Sequence, residues 1–157
     1  MRKRLITPPP LSPTPTDSVG WLDLEQLVDV EISSEDPDWP IEAALSAGEG
    51  GWRAGTAGEQ QIRLCFSSPQ VLRRIRLRFI ETLSARTQEF LLRWSPDAGE
   101  SYLDIVRQQW NFSPEGSTVE LEDLRVDLTG VTVLELRLIP DIANPQAIAS
   151  LAEWRLA

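Results

Sequence analysis

Apolar and polar residues alternate with a period of two through most of the chain after Trp21. Clusters of Gly, Pro, Ser and Asp separate the alternating runs. In the run from Val71 to Ile80, the apolar Ile75, Leu77 and Phe79 share one face and three arginines take the other. This alternation is typical of strands with one buried face. Strands are predicted at residues 28–33, 61–66, 71–80, 88–94, 101–106, 118–128, 131–139 and 149–156.

About eight short strands joined by turn residues predict an all-β class, built as an antiparallel sandwich or jelly roll. The cluster from Ser95 to Glu100 predicts a turn that joins its flanking strands into a hairpin. Single helical turns are predicted only at residues 22–28 and 41–46, the latter with Pro40 near its start. Since no internal repeat is present, we expect one domain over residues 20–157.

Residues 1–19 differ in composition, because five of the 12 prolines lie before residue 16. This predicts an extended arm that is either a tail, a strap across the domain or a docking peptide for a Pro-recognising partner. The basic Arg2-Lys3-Arg4 is followed by only Leu5 and Ile6 before the prolines, too few apolar residues for a secretion signal. A cytoplasmic location is therefore expected, and the single cysteine agrees with it.

The composition of the chain excludes some classes of function and disfavours others. The chain has 157 residues, 15 Lys and Arg, 24 Asp and Glu and no histidine, so its net charge is −9. Without histidine there is neither a Ser-His-Asp triad nor a Cys-His dyad, and we expect a protein that is not an enzyme and needs no cofactor. The acidic balance disfavours binding to nucleic acid. No apolar run approaches the roughly 18 residues of a membrane helix, so no membrane insertion is expected.

The order of several motifs is more specific than any one of them. Gly51-Trp52-Arg53-Ala54 precedes two alternating runs, the hairpin from Leu92 to Tyr102 has a Ser-Pro-Asp-Ala-Gly turn, and Leu151 to Leu156 ends the chain with an acidic residue between apolar ones. This order resembles the discoidin, or coagulation factor 5/8 type C, family of galactose-binding-like domains. The resemblance implies a jelly-roll β-sandwich whose loops at one end bind a ligand without catalysis. That ligand is most often a glycan, and sometimes a lipid headgroup or a protein.

The chain also departs from the family pattern. The Asp of the family's calcium loop is missing before Trp52, and so are the paired cysteines of the extracellular members. Glu153 alone matches an acidic calcium ligand of the family, whereas calcium takes six to eight oxygens. We therefore predict no metal site.

Aromatic rings beside polar side chains are the candidate ligand contacts, since a sugar stacks its apolar face on a ring and needs hydrogen bonds for its hydroxyls. Trp39 lies in the acidic loop from Glu35 to Pro40, and Trp110 is expected just past a strand. Trp52, Trp94 and Trp154 are expected to pack in the core, and the loops expected to bind the ligand are those around Trp39, Trp52 and Trp110. The predicted ligand-binding residues are Asp36, Asp38, Trp39, Trp52, Arg53, Arg107, Gln109, Trp110 and Asn111. The alternative is that these are ordinary loop residues anchored by half-buried tryptophans.

Two function hypotheses follow. The first is a carbohydrate-binding module, and the alternative is a protein-protein interaction or assembly subunit that uses the sandwich surface and the Pro-rich arm. The outward arginines could form a patch for an anionic ligand or pair with acidic residues across strands. The arginines are Arg53, Arg63, Arg74, Arg76 and Arg78, and the acidic candidates are Glu120, Glu122 and Glu135.

Overall fold

A computed structural model describes residues 20–46 and 50–157, and the predicted arm lies outside the described residues. The two helices are α1 (Leu24–Leu27) and α2 (Glu42–Leu45). The strands are β1 (Val28–Ile32), β2 (Trp52–Arg53), β3 (Gln60–Ile80), β4 (Arg86–Ser95), β5 (Leu103–Phe112), β6 (Val119–Ile139), β7 (Ser150–Leu151) and β8 (Glu153–Leu156). Within the described ranges, neither helix has the length or apolar character of a membrane-spanning segment.

Two 21-residue strands, β3 and β6, organise the sheets. Residues 60–65 of β3 pair with β1 and with the C-terminal half of β6, giving the antiparallel order β1-β3-β6-β4-β5. Residues 74–80 of β3 pair instead with the N-terminal half of β6 and with β8. Each long strand thus contributes to a five-stranded front layer and a three-stranded back layer. Strands β2 and β7 form a separate pair.

The core lies between these two layers and follows the alternation read from the sequence. Leu64 and Leu92 of the front layer are fully buried, as are Leu77 and Trp154 of the back layer. The rings of Phe79 in the back layer and Phe90 in the front layer lie 5.4 Å apart. The predicted all-β sandwich and both helical turns are therefore confirmed.

The strand boundaries differ from the prediction at several places. The predicted strand over residues 149–156 divides at Ala152 into β7, which pairs with β2, and β8, which pairs with β3. Residues 61–66 and 71–80 form one strand, because the Ser-Ser-Pro segment between them makes a bulge rather than a turn, with register shifts between Cys65 and Arg74. Residues 118–128 and 131–139 likewise join into β6, in which Gly130 has a φ of +79°. The short strand β2 was not predicted, because two residues are too few to show alternation.

An alternating row of charges crosses the outer face of the front layer, one residue from each strand. In order, the row is Glu31, Arg63, Glu135, Arg93 and Asp104. Glu135 is fully buried by its neighbours and accepts hydrogen bonds from Arg63 at 2.8 Å and from Arg93 at 2.6 Å. Burial raises the pKa of Glu135, but the hydrogen bonds from arginines outweigh burial and hold that pKa below its usual value.

The outer face of the back layer also pairs its arginines. Asp123 accepts hydrogen bonds from Arg74 at 2.8 and 2.6 Å, and these bonds lower the pKa of Asp123 to about 2. Pairing across strands is thus confirmed for Glu135. It is wrong for Glu120 and Glu122, which alternate onto the inner face of β6.

Candidate functional site

A cavity of about 450 Å³ opens at one end of the sandwich. It lies between the loop that joins β3 to β4, the segment that joins β6 to β7, and strand β2. The lining comes from residues 80–86, from residues of the 141–152 segment, and from Gly50, Trp52 and Arg53. The site therefore draws on three stretches that are far apart in sequence.

Strand β2 fixes the inner side of this cavity. Trp52 is fully buried, and its indole Nε1 donates to the carbonyl of Ser34 at 3.2 Å. Gly51 has a φ of +72°, and a side chain there would collide with the carbonyl of Leu151. A glycine is thus required for β2 to approach β7, and this approach places Trp52 in the core and Arg53 at the cavity.

The acidic loop packs against β2. The amide of Asp36 donates to the carbonyl of Arg53 at 2.9 Å, and the amide of Arg53 donates to the carbonyl of Trp39 at 3.2 Å. The guanidinium of Arg53 lies 4.0 Å from the centre of the Trp39 ring, which is a cation–π contact. Asp36 Oδ1 accepts from the amide of Asp38 at 3.0 Å and so shapes the turn. The structure thus brings together five of the nine predicted residues.

A buried ion pair closes the loop that joins β3 to β4, and a hydrogen bond ties this loop to the segment that joins β6 to β7. Only 7% of the Arg86 side chain is exposed, and its Nη2 lies 3.3 Å from Glu81 Oε2. Arg86 Nη1 donates to the carbonyl of Ile148 at 3.1 Å, while Glu81 Oε1 accepts from the amide of Leu83 at 2.9 Å. Burial lowers the pKa of Arg86, although Glu81 and Asp141 act in the opposite direction. Arg86 therefore closes its own loop through Glu81 and holds the 141–152 segment beside that loop through Ile148.

The rim of the cavity combines aliphatic and polar groups. Ile80, Leu83 and Ile148 expose 41%, 88% and 42% of their surfaces, and all three line the cavity. Asn144 and Ser150 add polar groups to the lining. None of these five residues was predicted from the sequence. No linear pattern indicates that the two loops meet, because their contact depends on how β3, β4 and β6 are ordered.

The other four predicted residues lie within β5, so the prediction that they belong to a loop is wrong. Trp110 is on the inner face opposite Gln88, whereas Arg107, Gln109 and Asn111 point outward. The outward residues contact β4, as in the ion pair of 3.6 Å between Arg107 and Glu89. None of the four lines the cavity.

A buried polar cluster lies beneath Trp110. The Nε2 of Gln88 donates to Glu120 Oε1 at 3.0 Å, and both side chains are buried. Gln88 Oε1 and the indole Nε1 of Trp110 are buried without a hydrogen-bond partner. Burial first and the neighbouring Glu122 second raise the pKa of Glu120 to about 8. Glu120 therefore holds its proton at neutral pH.

The acidic residues of the described ranges show no metal centre. No three Asp, Glu or Cys side chains of residues 20–46 and 50–157 are close enough to hold an ion. Glu153, the one match to a calcium ligand, lies 3.9 Å from Arg76 and 3.4 Å from Arg78. Two guanidinium groups at this carboxylate oppose the binding of a cation.

No protein-family model and no curated protein matches this sequence. Solved structures do match its fold. The family 32 carbohydrate-binding module of C. perfringens NanJ, solved with galactose, has a TM-score of 0.64 and 12% identity over 87% of this chain and 96% of that one. The chain shares its fold with family 32 carbohydrate-binding modules.

Two further structures agree with this fold. Module CBM32-5 of Clostridium perfringens CpGH89, solved with GalNAc-β-1,3-galactose, has a TM-score of 0.62 and 17% identity over 87% of this chain and 98% of that one. Chitosan-binding module 1 of a chitosanase/glucanase from Paenibacillus sp. IK-5 has a TM-score of 0.59, with the same identity and coverage. These likenesses confirm the galactose-binding-like fold that the motif order predicted.

Proposed function

We propose that this domain is a non-catalytic carbohydrate-binding module and that its ligand occupies the end cavity. The observation that carries the proposal is an amphipathic cavity of about 450 Å³ between loops at one end of the sandwich. Its volume falls in the range of about 300–1,000 Å³ that is usual for small-molecule sites. The lining joins exposed aliphatic groups to hydrogen-bonding side chains.

This lining suits the two kinds of surface on a pyranose ring. The C–H faces of the ring would pack against Ile80, Leu83 and Ile148, while the hydroxyl groups would bond to Asn144 and Ser150. Aliphatic side chains take the place of the aromatic rings that the sequence predicted as ligand contacts. Trp39 instead contacts Arg53.

The fold neighbours add support at the level of ligand class. Two were solved with galactose or with GalNAc-β-1,3-galactose, and a third is described as binding chitosan. Because these sugars differ, the neighbours favour a carbohydrate without selecting one. The lack of histidine throughout the chain supports a role in binding rather than in catalysis.

A thermal-shift screen against mono- and oligosaccharides tests the proposal, because a ligand that binds only the folded state raises the Tm. Leu83→Asp places a charge at the apolar rim, and Leu103→Asp is a matched control, since Leu103 is also an exposed leucine but lies on β5. We expect Leu83→Asp to abolish the sugar-dependent shift and Leu103→Asp to preserve it. No shift with any sugar, or equal loss in both variants, would contradict the proposal.

A further inference from the structure

Most arginines of the described residues form an ion pair with a carboxylate. The arginines with a carboxylate within 4.0 Å are Arg63, Arg73, Arg74, Arg76, Arg78, Arg86, Arg93, Arg107 and Arg137. Among the described residues, Arg53, Arg125 and Arg155 lack such a partner. Of these three, only Arg53 lines the end cavity. Among the described residues, Arg53 is therefore the arginine at this cavity that has no carboxylate partner.

The position of Arg53 is fixed although its charge is not neutralised. Its backbone is held on both sides by hydrogen bonds to Asp36 and Trp39, at 2.9 and 3.2 Å. Its guanidinium lies 4.0 Å from the centre of the Trp39 ring, so the contact restricts the side chain and leaves its N–H groups available. A guanidinium held in this way matches the two oxygens of a carboxylate with little loss of side-chain freedom.

The two acidic groups that line the cavity are already engaged. Glu81 accepts from loop amides and pairs with Arg86, and Asp141 Oδ1 accepts from the amide of Ala143 at 3.0 Å. The ionised lining residues are Arg53, Arg86, Glu81 and Asp141, and their charges cancel. The lining of the cavity thus carries no net charge, in contrast to the acidic protein as a whole, and Arg53 supplies a local attraction for an anionic ligand.

We propose that Arg53 makes this cavity selective for sugars that carry a carboxylate, the uronic acids, over their neutral counterparts. This inference rests on the proposed function, because it names the class of sugar for the same site. In the bound state, the guanidinium of Arg53 donates to the sugar carboxylate at the cavity mouth. The rim leucine and isoleucines then contact the ring.

Pairs of sugars that differ only in the carboxylate measure its contribution to the affinity. Galacturonic acid and galactose differ only at C6, as do glucuronic acid and glucose, and calorimetry on the full chain measures the Kd of each. We expect each uronic acid to bind at least about tenfold more tightly than its neutral partner, which corresponds to about 1.4 kcal/mol. Raising the salt from 0.05 to 0.5 M should weaken binding of the uronic acid alone, since salt screens an ion pair at an accessible site.

Two variants test the role of Arg53. Arg53→Gln keeps a polar side chain without charge, and Arg107→Gln makes the same change at an exposed arginine of β5. We expect Arg53→Gln to reduce uronic-acid affinity to that of the neutral sugar while galactose affinity changes less than about threefold. Arg107→Gln should leave both affinities unchanged.

The outcomes separate the two proposals. Equal affinity for the acidic and neutral sugars, or an equal loss of both in Arg53→Gln, would overturn the selectivity proposal while carbohydrate binding stands. A failure of every acidic and neutral sugar to bind at millimolar concentration would overturn the proposed function together with this inference.

Discussion

The loops around Trp39 and strand β5 around Trp110 have similar compositions, but only the loops bring their tryptophan and its polar neighbours together. In the first region, backbone hydrogen bonds bring Asp36, Trp39 and Arg53 together beside a cavity. In the second, strand geometry places Trp110 on one face and its neighbours Gln109 and Asn111 on the other. A tryptophan among polar residues can thus form a site when the chain turns, whereas an extended strand separates the same residues.

The largest effect should come from the buried side of the first region. Trp52→Ala removes a fully buried indole and the hydrogen bond to Ser34. We expect the free energy of unfolding to fall by about 3–5 kcal/mol, as for other truncations of large core side chains. Denaturant unfolding followed by circular dichroism measures this loss. A fall below about 1 kcal/mol would mean that β2 does not anchor the cavity to the core.

Trp110→Ala tests the second region. Trp110 is half-buried and packs against the core, so we expect a smaller fall of about 1–3 kcal/mol in the free energy of unfolding. Sugar affinity of the folded variant should be unchanged, because Trp110 does not line the cavity. Calorimetry below the melting transition is the measurement. Loss of sugar binding in a fully folded variant would mean that Trp110 belongs to the binding site.

The sequence predicted the layers of the fold better than it predicted the site. Alternation over Ile75, Leu77 and Phe79 depends only on neighbours along one strand, so it correctly identified a buried face. The strand predicted over residues 101–106 stopped too early, since β5 continues to Phe112. Had the prediction been continued that far, the same rule would have placed Trp110 and Asn111 on opposite faces of the strand. The contact between the loops that carry Glu81 and Ile148 depends on strand order, which one sequence does not display.

The buried cluster beneath Trp110 gives a pH-dependent test. The pKa of Glu120 is about 8 in the folded protein, above its ordinary value of 4.5. Between these two values the unfolded chain releases this proton and the folded protein keeps it, so Glu120 makes stability fall as pH rises from about 4.5 to about 8. We expect Glu120→Gln to reduce this decline and to raise the Tm by a few degrees at pH 8.

Thermal melts of both proteins from pH 5 to pH 9 measure the effect. Glu122→Gln is the control, because it removes the neighbour that contributes to the raised pKa but leaves the buried carboxyl in place. It should reduce the decline less than Glu120→Gln does. Parallel curves for the wild type and Glu120→Gln would show that Glu120 ionises normally in the folded protein.

The smallest effect is expected on the outer face of β5. Arg107→Ala removes one exposed ion pair with Glu89, so the free energy of unfolding should change by less than about 0.5 kcal/mol. Sugar affinity should also be unchanged. Denaturant unfolding and calorimetry on the same sample check both values. A clear loss of sugar binding would mean that the ligand binds to this face of β5 and not in the end cavity.

An amide-resolved NMR titration of the full chain with galacturonic acid tests the central claim most directly. The account predicts that the largest concentration-dependent shifts occur at Arg53, in residues 80–86 and in residues 141–152, which surround the cavity. The amides of Arg107, Gln109 and Asn111 should change little. Shifts concentrated at these β5 residues, or a spectrum unchanged at tens of millimolar sugar, would contradict the assignment of the end cavity as the binding site.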